Sequence, residues 1–124
     1  MRRIAVPLAA LLLLSALSGC FAPIAVPEPT AQFEITDWIQ PYYTFLEQYG
    51  LVEIAYKVTN SGTVGIDYYE VWFEVTCADG SKYQDWTNGL NLPTGTYLTD
   101  ATYIDTMEKK AVSVRVSRYE LTTH

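Results

Sequence analysis

Histidine, cysteine and basic side chains are all scarce in this chain of 124 residues. The only histidine is the last residue, His124, and the two cysteines are Cys20 and Cys77. Histidine-based catalytic triads and Cys-His pairs therefore lack their base, and zinc or iron–sulfur sites lack their ligands. No glycine-rich phosphate loop stands at a strand–helix junction. We expect a protein that is not an enzyme and that needs neither metal nor cofactor.

Acidic residues outnumber basic ones by 14 to 8, which gives a formal net charge of −6 at pH 7. Because nucleic-acid phosphates favour surfaces rich in Lys and Arg, we expect no nucleic-acid partner. The carboxylates suggest no catalytic pair either. Glu70 and Glu74, on one face of a predicted strand, would lie ~13 Å apart, farther than the two acids of a glycosidase.

The first twenty residues have the pattern of a cleaved secretory signal. Arg2 and Arg3 precede an apolar run at residues 4–17, which is followed by two small residues and Cys20. The run is too short for a comfortable membrane-spanning helix, which needs about 20 residues. An ordinary signal peptide would explain this segment but would not require a cysteine at its end.

The four residues Leu17-Ser18-Gly19-Cys20 resemble the lipobox of bacterial lipoproteins. The resemblance implies that a diacylglycerol group is attached to the Cys20 thiol and that residues 1–19 are removed as a signal peptide. Two or three acyl chains anchor a protein stably, since each buried methylene contributes ~0.8 kcal/mol and one chain alone is marginal. We therefore expect membrane lipid to hold the mature chain, through acylated Cys20, on the extracytoplasmic side of a membrane of the cell envelope. Cys77 is then left unpaired on an apolar strand face, where we interpret it as an inert buried residue.

Residues 20–32 have the composition of an extended tether. Pro23, Pro27 and Pro29 restrict their own backbone and that of the residues before them, and the apolar residues follow no period. About ten extended residues reach ~30 Å, which is enough to lift a domain clear of lipid headgroups. Residues 33–121 suffice for one domain, and aromatic residues at 14% of the chain favour strands.

Alternation of apolar and polar residues predicts six or seven strands in residues 33–121 and no amphipathic helix. Residues 87–95 are predicted to be a loop, and residues 42–50 fit a loop, a bent strand or one helical turn. The pattern predicts an all-β, antiparallel sandwich, with a small Greek-key barrel as the alternative. The predicted strands lie at residues 33–39, 51–59, 66–77, 82–86, 97–104 and 111–121.

The same alternation separates a core face from an outer face in the strands at 33–39, 51–59, 66–77 and 111–121, because successive side chains of a strand point to opposite sides. The strand at 97–104 has an ambiguous phase. The face without charged residues is taken as the core face. The residues predicted to point inward are Phe33, Ile35, Ile39, Val52, Ile54, Tyr56, Val58, Tyr69, Val71, Phe73, Val75, Cys77, Val112, Val114 and Val116.

Residues 51–120 resemble the FxLYD-type immunoglobulin-like domains of small bacterial and archaeal lipoproteins. The matching segments are Val-Thr-Asn-Ser-Gly at 58–62, Val-Trp-Phe-Glu-Val at 71–75, Asp79-Gly80, Leu-Pro-Thr-Gly at 92–95 and the strand at 112–116. Before Asp79-Gly80 this chain has Val-Thr-Cys-Ala where the motif that names the family has Leu-Tyr. The resemblance implies an immunoglobulin-like sandwich and carries no catalytic residue over to this chain.

Three aromatic residues form a candidate ligand-binding site. Tyr68 and Trp72 are predicted on the outer face of the strand at 66–77, and Trp86 on its hairpin partner. If that face is open, the three residues form an aromatic platform for sugar rings or for a protein partner. The alternative interpretation is that the aromatic segment 42–49 covers the face.

These observations favour a lipid-anchored, non-catalytic interaction module that binds a protein or a component of the envelope. The alternative function is a carbohydrate-binding module that uses Tyr68, Trp72 and Trp86. The expected partners are therefore membrane lipid, through Cys20, and a protein or glycan.

Replacing Cys20 with serine removes the thiol that the lipobox resemblance assigns to acylation. We expect the Cys20→Ser chain, expressed in a bacterium, to move from the detergent phase to the aqueous phase when the two phases are separated. The Cys77→Ser chain serves as the control and should stay in the detergent phase. Unchanged partitioning of Cys20→Ser would show that Cys20 carries no anchor.

Overall fold

The computed structural model describes residues 29–123 of this protein, which form strands and no helix. Within these residues there is accordingly no helix with the length and hydropathy to cross a membrane. The predicted signal peptide, Cys20 and most of the tether lie outside the described residues. The strands are β1 (Ala31–Ile39), β2 (Tyr42–Tyr43), β3 (Gln48–Tyr49), β4 (Val52–Asn60), β5 (Ile66–Cys77), β6 (Lys82–Leu92), β7 (Tyr97–Ile104) and β8 (Ala111–Thr122).

Six of the strands form two three-stranded antiparallel sheets, in the orders β1-β4-β7 and β6-β5-β8. The sheets do not close into a barrel, so the predicted all-β sandwich is confirmed and the Greek-key barrel is not. The chain passes from one sheet to the other after β4, β6 and β7. In the nomenclature of immunoglobulin-like sandwiches, β1, β4 and β7 correspond to strands A, B and E. On the opposite sheet, β6, β5 and β8 correspond to strands C′, C and F.

The core lies between the sheets and is filled mainly by the two central strands, β4 and β5. The predictions for both strands are confirmed, because every inward residue they assign is buried. These residues are Val52, Ile54, Tyr56 and Val58 of β4 and Tyr69, Val71, Phe73, Val75 and Cys77 of β5. The hydroxyls of Tyr56 and Tyr69 meet across the core at 3.0 Å, which satisfies both polar groups. Burial raises the pKa of both phenols above the ordinary value.

A β-bulge in β1 overturns the prediction that Ile39 faces the core. The pairing of β1 with β4 shifts by one residue between Ile35 and Asp37. Beyond the bulge the inward and outward positions are exchanged, so that Trp38 packs against the core and Ile39 is exposed. The prediction carried one unbroken alternation through the strand and therefore had the wrong phase at its end.

Two bulges in β8 have the same effect. Cys77 pairs with Ala111 and Thr76 with Ser113, so Val112 is an extra residue and is exposed, contrary to the prediction. A second extra residue, Ser117, separates the inward Val116 from Arg118, which lies opposite Trp72. Val114 and Val116 pack against the core as predicted.

Strand β6 is longer than predicted, because it continues from Lys82 to Leu92 through most of the expected loop. Asn88-Gly89 makes no turn there, and Gly89 pairs with Tyr69 of β5. A β-carbon on Gly89 would lie 2.4 Å from the Tyr69 ring. This glycine therefore serves close packing of an aromatic ring against the backbone rather than a change of chain direction.

Residues 42–49 form a hairpin, β2–β3, at the end of the sandwich where β1 terminates. The amide of Gly50 donates to the carbonyl of Pro41 at 2.9 Å and closes the base of the hairpin. The Gln40 side chain fixes the same region, since its amide nitrogen donates to Lys109 O at 2.8 Å and its oxygen accepts from Ala111 N at 2.8 Å. Because β1 has nine residues, the hairpin at its end lies roughly 25–30 Å from Ala31, where the described chain enters the sandwich.

The Gly89→Ala variant tests the packing of Tyr69. We expect it to lower the free energy of unfolding by about 1–3 kcal/mol, because the added methyl group overpacks a buried ring. Urea unfolding of the full chain measures the change. Gly65→Ala is the matched control, since a β-carbon at Gly65 meets no atom within 4 Å. Equal stability of the two variants would contradict the packing role of Gly89.

Candidate ligand-binding face

The outer face of the β6-β5-β8 sheet carries all three residues of the predicted aromatic platform. In the strand register, Trp72 of β5 lies directly opposite Trp86 of β6 on one side and Arg118 of β8 on the other. Directly opposed residues point to the same side of a sheet. Tyr69, Val71 and Phe73 fill the core, so the residues between and beside them point outward. We call this surface the aromatic face.

Trp72 and Trp86 form a stacked pair on the aromatic face. Their ring centroids are 6.0 Å apart, with an angle of 33° between the ring planes. The guanidinium of Arg118 lies 3.7 Å from the centroid of the Trp72 ring, which is cation–π geometry, and its Nη1 donates to Glu120 at 2.9 Å. One side of Trp72 is thus occupied by Arg118, whereas Trp86 is 46% exposed. Trp86 is the ring that a ligand would meet first.

Tyr68 is not part of the stacked pair. It lies four residues before Trp72 on the same strand, ~13 Å away, and Glu70 stands between them. The Tyr68 hydroxyl donates to Glu70 Oε2 at 2.6 Å and accepts from Asn88 Nδ2 at 3.3 Å. The hydrogen bond to Glu70 raises the pKa of the Tyr68 phenol above its ordinary value. The structure therefore brings together two of the three predicted residues and assigns Tyr68 to a polar cluster beside them.

A row of polar side chains runs across the sheet next to the tryptophan pair. Glu70 pairs with Asn88 of β6 and with Glu120 of β8, so the three side chains lie side by side on the aromatic face. Two carboxylates and an amide give several hydrogen-bond acceptors and one strong donor group. Such a row beside an exposed indole is able to bind hydroxyl groups.

The ionised groups of the aromatic face balance one another. Glu74 is only 8% exposed, although it points away from the core, because Arg115 Nε lies 2.9 Å and Lys82 Nζ 3.8 Å from its Oε1. Arg118 pairs with Glu120 at 2.9 Å. Three carboxylates therefore face three cations, and the face as a whole has no net formal charge. The carboxylates are Glu70, Glu74 and Glu120, and the cations are Lys82, Arg115 and Arg118.

The segment 42–49 packs elsewhere, contrary to the interpretation that it covers the aromatic face. Tyr43 lines a groove together with Glu53 of β4 and Tyr103 of β7, which belong to the other sheet. Phe45, at the tip of the hairpin, is 95% exposed. The aromatic residues of this segment therefore need an explanation of their own.

Arg118 is the member of the site that the sequence analysis missed. Its place beside Trp72 depends on the bulge at Ser117, and that bulge is visible only once β8 is paired with β5. Cys77 is buried in the core, as predicted. Among residues 29–123, no group of three or more His, Cys, Asp or Glu side chains is arranged to hold a metal ion.

Comparison of the chain with protein-family models, with curated proteins and with solved structures finds no match. A function for this protein therefore has to be inferred from the chemistry of its own surfaces.

Arg118→Ala should uncover the shielded side of Trp72. We expect stronger quenching of tryptophan fluorescence by acrylamide, measured in a Trp86→Phe background that removes the exposed indole. The loss of an exposed cation–π contact should lower the unfolding free energy by no more than about 1 kcal/mol. Lys57→Ala, which removes the cation near Tyr97 on the other sheet, is the control and should leave quenching unchanged. No increase in quenching for Arg118→Ala would show that the guanidinium does not shield Trp72.

Proposed function

We propose that this protein is a non-catalytic interaction module, anchored to a membrane by acylated Cys20, which binds a protein or an envelope component on the extracytoplasmic side. The single observation that carries the proposal is the aromatic face, where the exposed indole of Trp86 lies against the ring of Trp72 beside a row of polar side chains. The lipobox resemblance at Leu17-Ser18-Gly19-Cys20 supports the location. The proline-rich residues 20–32 support display at a distance from the bilayer.

The composition of the aromatic face favours recognition over a purely structural role. Trp and Arg are the residues most enriched among the energetic hot spots of protein interfaces, and here they are adjacent. Their rotamers are already restrained, because Trp86 stacks on Trp72 and Arg118 is held between Trp72 and Glu120. A partner would therefore lose little side-chain entropy on binding, which favours affinity.

A carbohydrate-binding module is the second candidate, and the polar row favours it. Sugar rings present apolar C–H faces that stack on an indole, and their hydroxyls hydrogen-bond to carboxylates and amides. Trp86 supplies the indole, and the adjacent row of Asn88, Glu70 and Glu120 supplies the amide and the carboxylates. Because the charges on this face cancel, the glycan that fits it is neutral rather than acidic.

Trp86→Ala tests both candidates, since both require this exposed ring. We expect the partner recovered with the full chain from intact membranes in mild detergent to bind roughly 30-fold more weakly, which corresponds to about 2 kcal/mol of binding free energy. Tyr97→Ala is the control, because Tyr97 is an exposed aromatic residue on the other sheet. Affinity that Trp86→Ala leaves unchanged would exclude the aromatic face as the binding surface.

A glycan array probed with the same two variants separates the candidates. Binding to neutral glycans that disappears in Trp86→Ala would identify the carbohydrate module. A protein partner that is lost in Trp86→Ala, with no glycan bound, would identify the protein-binding module.

A further inference from the structure

A second surface, remote from the aromatic face, lies at the hairpin end of the sandwich. A groove of about 330 Å³ opens there, lined mainly by apolar atoms of Ile39, Pro41, Tyr43, Leu51 and Tyr103. Phe45 and Leu46, at the tip of the hairpin whose Tyr43 lines the groove, are 95% and 59% exposed. Contiguous apolar surface of this kind on a small domain marks a site of interaction. We call the groove and the hairpin tip together the distal groove.

The distal groove is a built surface rather than a frayed loop. Gln40 Nε2 shares its two hydrogens among Gly50 O at 3.0 Å, Thr106 Oγ1 at 3.1 Å and Lys109 O at 2.8 Å, which ties β1, the hairpin base and the β7–β8 loop together. A β-carbon on Gly50 would lie 2.7 Å from the Tyr43 ring, so this ring packs directly on the backbone. The rings of Tyr42 and Tyr49 are in contact, with their centroids 4.7 Å apart. A surface held in this way is preorganised for binding.

The charges near the distal groove are mainly acidic. Glu53 lies in the groove wall and accepts a hydrogen bond from the Tyr103 hydroxyl at 3.1 Å. Lys109 is already engaged by Asp79, with Nζ and Oδ2 3.0 Å apart. The ionisable residues of the hairpin turn, the groove and the β7–β8 loop are Glu47, Glu53, Asp105, Glu108, Lys109 and Lys110.

We propose that the distal groove binds a segment of a partner protein that presents an apolar side chain next to a lysine or arginine. The apolar side chain fills the groove against the rings of Tyr43 and Tyr103, and the cation lies beside the carboxylate of Glu53. An acidic partner would meet repulsion at this end, and a purely apolar one would leave Glu53 desolvated without a charge partner.

The position of the groove also favours a protein over the anchoring bilayer as its occupant. The described chain enters the sandwich at Ala31, and the groove lies roughly 25–30 Å away, at the other end of β1. With Cys20 in the membrane, the groove therefore lies at the end of the sandwich opposite the one at which the tether enters. This orientation rests on the proposed anchor, whereas the chemistry of the groove does not.

A phage-displayed library of random peptides, selected on the full chain in detergent, tests the proposal. We expect the selected peptides to share a Leu, Ile, Phe or Trp next to Lys or Arg. Phe45→Ser and Tyr103→Ala should each weaken their binding roughly tenfold. Glu53→Gln keeps the size and the acceptor for Tyr103 but removes the charge, so it should weaken binding and reduce its dependence on salt. Leu90→Ser, an exposed apolar residue of β6, is the control and should bind as the unaltered chain does.

Other outcomes overturn the proposal. These are a library without binders, selected peptides without a basic residue, or affinities that Phe45→Ser and Glu53→Gln leave unchanged. Binding of the Cys20→Ser chain, which lacks the proposed acyl anchor, to phosphatidylcholine vesicles that Phe45→Ser abolishes would instead identify a bilayer as the occupant. A dimer in sedimentation that Phe45→Ser dissociates would identify a second copy of the chain. Trp86→Ala should not affect the selected peptides, so failure of the distal groove and failure of the aromatic face are distinguished.

Discussion

The alternation of side chains along β5 is the constraint on which the rest of the structure depends. This central strand must place five side chains, from Tyr69 to Cys77, in a core that has no disulfide among the described residues. Because a strand has only two faces, filling the core sends Trp72 to the outside. The same pairing brings Trp86 and Arg118 to its two sides. The candidate binding face is therefore a direct consequence of how the core is packed.

The parts of the fold that could be predicted from the sequence are those in which local alternation is unbroken. Every inward assignment in β4 and β5 was right, since both strands are central and keep one phase from Val52 to Val58 and from Tyr69 to Cys77. The errors at Ile39 and Val112 come from bulges, which are properties of a strand pair and have no signal in one strand alone. The loop prediction for residues 87–95 is wrong for a related reason, because the role of Gly89 depends on Tyr69, twenty residues away.

The same distinction applies to the two surfaces. Trp72 and Trp86 were found by combining alternation with a hairpin, both of which are local features. Arg118 could not be found, because a bulge places it opposite Trp72. The distal groove could not be found either, since Tyr43, Leu51 and Tyr103 come from three separate parts of the chain. Its one local signal is the run of aromatic residues at 42–49, which one of the two interpretations placed over the other sheet.

The bulge at Ser117 gives β8 two halves of opposite phase. Before it, the even-numbered residues Val114 and Val116 face the core, and after it the odd-numbered residues Tyr119 and Leu121 do. The end of β8 keeps this phase because Ser117 is accommodated as an extra residue, whose hydroxyl donates to Trp72 O at 3.2 Å. If β8 alternated without a break through Ser117, its end would turn over, placing a guanidinium among the core side chains and two apolar residues in water. The bulge at this small polar residue thus determines which chemistry each sheet surface displays.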